Sequence, residues 1–321
     1  MKKLSIVILN YNSLGMIKDC LESFKKYQPD IDYEIIIANN DDDKKKFKKF
    51  SKNYPKIKFI QNTGNWGFSS GCNLGASIAE GEYLLFLNPD TELNKTRAID
   101  KMIELLEADQ SIGICGCKII DSNGKENILN WNNPWFFIKW IKAIHDFIYK
   151  DKIIRKLSNN SIWYPDIISG AILTIKTDDF KKLGGWGDDK YWMYSEDRDL
   201  CMRMSKILNK RLAQLRDCNI YHIWGGASEE SSSLMLGMEM IISRHNYIYH
   251  NKDGIQRVVL LTLYIIKNIT IPITKLILNI FLFKRKNIDK YKYIVIEVIR
   301  YYLKSIKRRT WKSNKLEHEK K

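Results

Sequence analysis

Residues 83–92 read Tyr-Leu-Leu-Phe-Leu-Asn-Pro-Asp-Thr-Glu, five apolar residues that break into Asn88-Pro89-Asp90. An apolar run of that length bounded by turn residues predicts a strand buried on both faces. It ends where a carboxylate can stand free of the sheet. Working outward, Leu4–Leu9, Glu34–Ala38 and Ile57–Ile60 are short runs of the same kind. Between them Ile17–Phe24 puts Ile17, Leu21 and Phe24 at helical spacing, and Lys44–Phe50 reads as a more exposed helix. Further along, Thr96–Leu106 reads as helix, Ile112–Cys117 as strand and Asp121–Gly124 as a turn. Ile167–Ile175 reads as strand, and Ser195–Leu208 and Leu234–His250 as helices. This alternation predicts an α/β fold, a doubly wound sheet with ligands at the carboxyl ends of its strands.

The charge divides the chain of 321 residues unevenly. Lys and Arg number 53 against 37 Asp and Glu, a net of +16. From Asn251 to Lys321 there are 18 basic and 5 acidic residues, a net of +13, which leaves 35 − 32 = +3 for residues 1–250. We therefore expect a near-neutral catalytic domain over 1–250 and a separate basic region over 251–321. Charge confined to a tail argues against a nucleic-acid-coating body and for a tail that meets an anionic surface.

Within that tail, Val258–Phe283 holds 17 Val, Leu, Ile and Phe in 26 residues, interrupted by Lys267, Asn268, Pro272, Lys275 and Asn279. On an insertion scale the apolar residues gain about 8 kcal/mol and the two lysines return about 5–7, so spanning is near balance. Asn268, Lys275 and Asn279 form a narrow polar stripe. Ile288–Ile306 sets Ile288, Tyr291, Val295, Val298, Tyr302 and Ile306 on one face, opposite Glu297, Arg300, Lys304 and Lys307. Such a helix lies on an anionic bilayer, or packs as half of a hairpin on the domain.

Other features exclude whole classes. Cys20, Cys72, Cys115, Cys117, Cys201 and Cys218 form no CxxC pair, so a zinc ribbon is not expected and reduced thiols are. Leu4–Leu9 is too short for a signal-peptide core. Trp131, Trp135, Phe136, Phe137 and Trp140 cluster in a stretch that reads as a flap or as an ordinary packed helix.

Four groups can carry chemistry. Asp90, with Thr91 and Glu92 beside it, can hold Mg²⁺ or Mn²⁺ against a diphosphate, although Asn-Pro-Asp is also turn chemistry. Tyr194-Ser195-Glu196-Asp197-Arg198-Asp199 lets Ser195 cap a helix, with Glu196 and Asp197 in its positive first turn. A carboxylate there can take a proton from an incoming hydroxyl; capping electrostatics and an Asp199–Arg203 pair are the plainer reading. His222 would complete a mixed carboxylate–histidine site. Finally, Gly64–Gly75 favours close backbone approach and a phosphate at a helix N-terminus, or is simply a tight packing turn.

Taken in order, Asn10-Tyr11-Asn12, the loop from Asn62 to Gly75, Asn88-Pro89-Asp90, Gly170-Ala171, Gly184-Gly185, Met193-Tyr194-x-Glu196-Asp197-x-Asp199-Leu200-Cys201-x-Arg203 and His222 resemble family 2 glycosyltransferases. The likeness is strongest to the bacterial rhamnosyltransferase-like branch, and it covers roughly residues 3–250. It implies a GT-A fold, a dTDP- or UDP-sugar donor, inversion at the anomeric carbon, and a lipid-linked or growing surface-glycan acceptor. Together with the +13 tail this puts the expected work at the cytoplasmic face of the membrane, and charge confined to that tail leaves no nucleic-acid partner expected. On this resemblance Asn10, Tyr11, Asn12, Asn39, Asn65, Gly67, Asn73, Asn88 and Asp90 contact the donor. Asp90 and His222 take the Mg²⁺ or Mn²⁺, and Asp197 is the general base supported by Glu196.

Three departures stand out. Asn39 occupies the end of the second strand, where the family has an Asp that reads the base imide. Asn88 stands where some relatives have the first Asp of an acidic pair, and Gly185–Trp192 is one residue longer than the family's run. A sugar-1-phosphate nucleotidyltransferase is the rival enzyme, disfavoured because the first strand runs into Asn10-Tyr11-Asn12-Ser13 rather than a glycine-rich loop. A non-catalytic, membrane-bound pseudoenzyme is the third reading.

Overall fold

Strand β1 (Leu4–Asn10) lies between β2 (Tyr33–Asn39) and β4 (Tyr83–Leu87), parallel to both, and β2 continues onto β3 (Lys58–Gln61). All five residues of β4 are buried, as its uninterrupted apolar run requires. Beyond β4 the sheet turns antiparallel through β8 (Ile172–Lys176) and β6 (Ile112–Ile120), then runs to β9 (Arg211–His222) and the two-residue β5 (Thr91–Glu92). With β7 (Ile162–Trp163) on β9, the described residues form a nine-stranded mixed sheet in the order β3-β2-β1-β4-β8-β6-β9-β5. The computed structural model describes residues 2–126, 161–223 and 230–316. The tryptophan-rich cluster between Trp131 and Trp140 lies outside them.

Helices cover both faces of the sheet. On one, α1 (Leu14–Lys26) and α4 (Ala98–Ala108) bury Ile17, Leu21, Phe24, Met102 and Ile103 against Ile6, Ile8 and Leu85. On the other, α3 (Gly67–Ser77), α5 (Thr177–Lys182) and α6 (Glu196–Ile207) meet around Phe86, Phe180, Trp186 and Leu200. The exposed α2 (Lys44–Ser51) buries only Phe47. A Cβ at Gly71 would sit 2.3 Å from Leu9 Cδ1, and one at Gly75 would sit 2.5 Å from Val7 Cγ1. Those glycines serve packing: they let α3 lie directly on β1. All six cysteines are free and buried.

Two expectations need correction. The strand expected from Ile167 begins at Ile172. Ser169-Gly170-Ala171 turns instead, with the Ala171 N–H donating to Ser169 Oγ at 3.2 Å and the Ile172 N–H to Ser169 O at 3.3 Å. A local side-chain acceptor thus outcompetes the sheet ladder. Ser195, expected as a helix cap, has φ +66 and follows Tyr194 at φ +70. Caps take extended backbone, so this pair is a strained left-handed entry to α6.

The chain divides into two compact units. Residues 2–126, 161–188 and 196–223 carry the sheet, and 189–195 with 230–316 form a helical unit. The latter holds α7 (Glu230–Asn251), α8 (Gly254–Phe281) and α9 (Arg285–Arg308).

The α9 face expected to lie on a bilayer is largely turned into this unit: Val298 and Tyr302 are buried, and Ile306 alone is strongly exposed. The polar stripe of α8 has the same explanation. Asn268 bonds Tyr264 and Tyr302, Lys275 Nζ sits 5.4 Å from the Tyr291 ring centroid, and Asn287 Nδ2 donates to Asn279 Oδ1 at 3.0 Å. At the centre His245 is fully buried among Tyr264, Tyr301, Tyr302 and Trp311, stacked on the last at 12°.

Candidate active site

The carboxyl ends of β1, β2 and β4 lie together, because Asn10 pairs with Asn39 and Ile8 with Leu87. Asn10 and Asn39 are fully buried. Asn10 Nδ2 donates to Asn39 Oδ1 at 2.5 Å, while Asn10 Oδ1 accepts from the Ser13 N–H and Oγ. Asn39 Oδ1 also accepts from the Asp41 N–H, and its Nδ2 donates to Gln61 Oε1 at 2.7 Å and to Asp41 O at 3.1 Å. An amide has two donors and two acceptor lone pairs, so Asn39 is saturated inside the protein. Tyr11 and Asn12, by contrast, are exposed at the strand end, Asn12 with φ +54.

In the loop before α3, Asn65 Oδ1 accepts from the Gly67 N–H at 3.2 Å, and Gly67 makes the turn with φ +90. Asn73 is a brace: its Oδ1 accepts from the Trp186 N–H at 2.9 Å and its Nδ2 donates to Trp186 O at 3.0 Å. A Cβ at Gly185 would stand 2.7 Å from Asn73 Oδ1, so the turn must pass Asn73 with no side chain at that position.

The end of β4 meets the end of β9. β5 pairs Thr91 with His222, which brings the imidazole Nε2 within 2.9 Å of Asp90 Oδ1 and 3.3 Å of Asn88 Nδ2. Thr91 Oγ1 closes the turn on Asn88 O at 2.7 Å, and the Ile223 N–H donates to Asp90 O at 2.9 Å. Asp90 and His222, far apart in sequence, thus form one carboxylate–imidazole pair.

The acidic start of α6 sorts by partner. Asp199 is buried and takes the Arg203 Nε at 2.7 Å, while Arg203 Nη1 donates to Leu183 O at 2.6 Å and Gly185 O at 2.9 Å. That acid is structural. Glu196 is buried, and its Oε2 has no hydrogen-bond partner in the protein. Asp197 is partly exposed, accepts from the Arg198 N–H at 2.7 Å, and is also held by the Gly170 N–H. Burial, then the neighbouring Asp197 charge, raises the Glu196 carboxyl well above the usual range. Burial raises Asp197 too, opposed by the Arg198 charge and by backbone N–H donors.

One short segment joins these groups. Gly170 touches Asp197, and the next residue's carbonyl, Ala171 O, accepts from the Asn88 N–H at 3.0 Å. The turn at 169–171 therefore positions the α6 carboxylates and the Asp90–His222 pair on one scaffold. Sequence reading overlooked Gln61, which fixes the Asn39 amide, and the three-way grip of Arg203. The position of Gln61 at the end of a strand beside Asn39 was the available signal.

The model for glycosyl transferase family 2 matches residues 5–169. The rhamnosyltransferase WbbL of Escherichia coli K12 is 25% identical over 213 residues, covering 62% of this chain and 76% of WbbL. The teichoic acid poly(glycerol phosphate) polymerase of Staphylococcus epidermidis is 36% identical over 97 residues, 29% of this chain but 13% of the polymerase. Among solved structures, the mannosyltransferase PcManGT of Pyrobaculum calidifontis, in complex with GDP-Man and Mn²⁺, is similar at TM-score 0.54 and 13% identity, covering 93% of this chain and 75% of that one. S. aureus TarS 1–349 is similar at TM-score 0.52 and 16% identity, covering 93% and 91%. The architecture is therefore that of a GT-A glycosyltransferase. The chain belongs to glycosyl transferase family 2.

Proposed function

We propose that this enzyme moves a sugar, with inversion, from a nucleotide-diphosphate sugar to a hydroxyl of a lipid-linked or growing cell-envelope glycan. The observation that carries the reading is the 169–171 turn, which holds Asp197 on one side and the Asn88–Asp90–His222 group on the other. Relatives that act on envelope polymers support the acceptor class, and WbbL supports rhamnose as the sugar.

Burial and the neighbouring Asp197 charge raise the Glu196 carboxyl well above the usual range, which favours Asp197 as the member of the pair that carries the charge. Asp197 accepts the proton of the acceptor hydroxyl as that oxygen bonds to the anomeric carbon and the bond to the diphosphate breaks. Tyr11 and Asn12 face the donor, while Asn39 holds Asn10 and the Asp41 backbone in place. Position, rather than charge at residue 39, then recognises a dTDP or UDP base.

Asp90 and His222 fit a divalent cation, since a carboxylate and an imidazole already converge within 2.9 Å. Among the described residues no group of three His, Cys, Asp or Glu offers a closed cage, so the diphosphate and water would complete the shell. An imidazole ligand suits Mn²⁺ better than Mg²⁺. Such a cation supplies charge to the departing diphosphate.

Calorimetry with dTDP, UDP and GDP, with and without Mn²⁺, tests this. One nucleotide should bind more tightly with Mn²⁺, and Asp90→Ala should weaken that binding at least about tenfold, 1.4 kcal/mol. Unchanged binding by Asp90→Ala would remove Asp90 from the donor site.

The helical unit supports peripheral attachment to the cytoplasmic face of the membrane. Helix α8 is long and apolar enough to cross a bilayer, and only 22% of its most apolar window is buried. At its end Phe281, Leu282 and Phe283 are 75%, 59% and 89% exposed. We expect serines at these three positions to weaken co-sedimentation with anionic vesicles by about tenfold or more, given about 1.5–3 kcal/mol per large apolar side chain. Equal pelleting of variant and wild type would show that the membrane is not met here.

A further inference from the structure

A cavity of about 180 Å³ in the helical unit is walled by α7, α9 and residues 310–314. Its apolar lining includes Met235, Met238, Ile242 and Tyr301, while Arg300, Lys304, Arg308 and Lys312 supply positive charge. Two carboxylates, Glu239 and Glu297, line the cavity with these four cations; Glu297 is ion-paired with Arg300, and Lys312 Nζ lies 3.7 Å from Asp189 Oδ2 outside the lining. The cavity is therefore apolar and cationic at once.

Glu239 adds a specific polar group. It is 5% exposed, and its Oε1 accepts from Ser313 Oγ at 3.1 Å and faces Lys315 Nζ at 3.5 Å. Its Oε2 is buried with no hydrogen-bond partner in the protein. A buried carboxylate oxygen left unmatched costs about 1–3 kcal/mol or more, and a ligand hydroxyl would remove that cost.

Beside the cavity, α9 shows an apolar edge. Ile296 and Leu303 are 45% and 65% exposed and stand four residues before and three after Arg300, making them its neighbours on the helix surface. Tyr293, which lines the cavity, is also exposed. A ligand matching all of this carries a phosphate between a hydroxyl-bearing head and a hydrocarbon chain.

We propose that this cavity binds a single lipid through its phosphate. The phosphate meets Arg300, Lys304 and Arg308, a head-group hydroxyl meets Glu239, and the chain lies along Ile296 and Leu303. Complementary charge selects the occupant: apolar contact alone would serve any hydrophobic partner, but not beside a surplus of guanidinium and ammonium groups. The unit that holds the cavity contains none of the residues assigned to sugar transfer, so the site stands apart from the donor reading.

The test is a calorimetric titration of the full-length protein with dihexanoyl phosphatidylglycerol below its micelle concentration. Saturable one-site binding is expected. The double variant Lys304→Glu/Arg308→Glu should weaken it at least about tenfold, as the loss of charge-assisted hydrogen bonds implies. Ile296→Ser/Leu303→Ser should weaken it about threefold or more through lost apolar burial. All four positions are exposed, and an unchanged helical circular dichroism spectrum would verify the fold. Absence of saturable binding, or equal binding by the charge variant, would overturn the proposal. So would sn-glycerol 3-phosphate binding as tightly, which would leave an anion site without a lipid. Equal binding of dihexanoyl phosphatidylcholine would likewise reduce the site to unselective apolar adsorption.

Discussion

Asp197→Asn is expected to bind donor nucleotide like the wild type and to transfer sugar about 10³-fold more slowly, the usual contribution of a positioned base. The substitution keeps the size of the side chain and its contacts to the Arg198 and Gly170 N–H groups, but removes the basic oxygen. The pH profile gives an independent reading. On the proposed mechanism transfer needs Asp197 ionised, and burial raises its proton affinity, so the rate should climb with pH through a midpoint above the ordinary aspartate range. Residual activity of the Asn variant should lack that limb. If donor binding fell in step with the rate, Asp197 would belong to the nucleotide site instead.

The second large effect concerns stability. Burial lowers the His245 pKa from 6.5 to about 4, opposed by its bond to the Ile241 carbonyl. Nδ1 donates to Ile241 O at 2.9 Å, so Nε2 is the unprotonated nitrogen and accepts from the Tyr302 hydroxyl at 3.2 Å. The surrounding titratable groups, Tyr264, Tyr301 and Tyr302, are neutral phenols that offer no counter-charge. Between pH 6.5 and 4 the unfolded chain therefore holds a proton that the folded chain refuses. Stability is complete above pH 6.5 and falls with acid, by about 3 kcal/mol at 1.36 kcal/mol per pKa unit. Thermal melting of the helical unit should register the fall. His245→Phe, which keeps an aromatic ring in the cluster, should flatten that part of the pH dependence. A variant that loses stability with acid as steeply as the wild type would rule out His245 as the cause.

Much of the sheet was readable because burial on both faces leaves an unbroken apolar run. Tyr83–Leu87 was located to the residue, and the first two strands to within a residue at each end. The strand expected at Ile167 was misplaced because Ser169 to Ala171 are apolar or small yet bond locally, which composition cannot show. The meeting of Asp90 with His222 depends on the pairing of β5 with β9, a contact between segments some 130 residues apart with no local signature. Likewise, period 3.6 correctly gave α9 an apolar face but not its occupant. Val298 and Tyr302 pack into the helical unit, and the stripe left outside, through Ile296, Ile299 and Leu303, is a different one. At the start of α6 the i,i+4 spacing did single out Asp199 as the partner of Arg203, as found, but not the grip of Arg203 on the Leu183 and Gly185 carbonyls, which has no local signature.

The six buried cysteines have a practical consequence. Burial pushes the thiols of Cys72, Cys115, Cys117 and Cys201 up, and that of Cys20 to about 12. Because the thiolate is the reactive form, the native surface offers no fast target for maleimide dyes. Cysteines introduced at two exposed isoleucines, Ile207 in the sheet unit and Ile306 in the helical unit, would be the preferred attachment points for a donor–acceptor dye pair. Energy transfer between them would follow the separation of the two units in solution, with every native cysteine left in place.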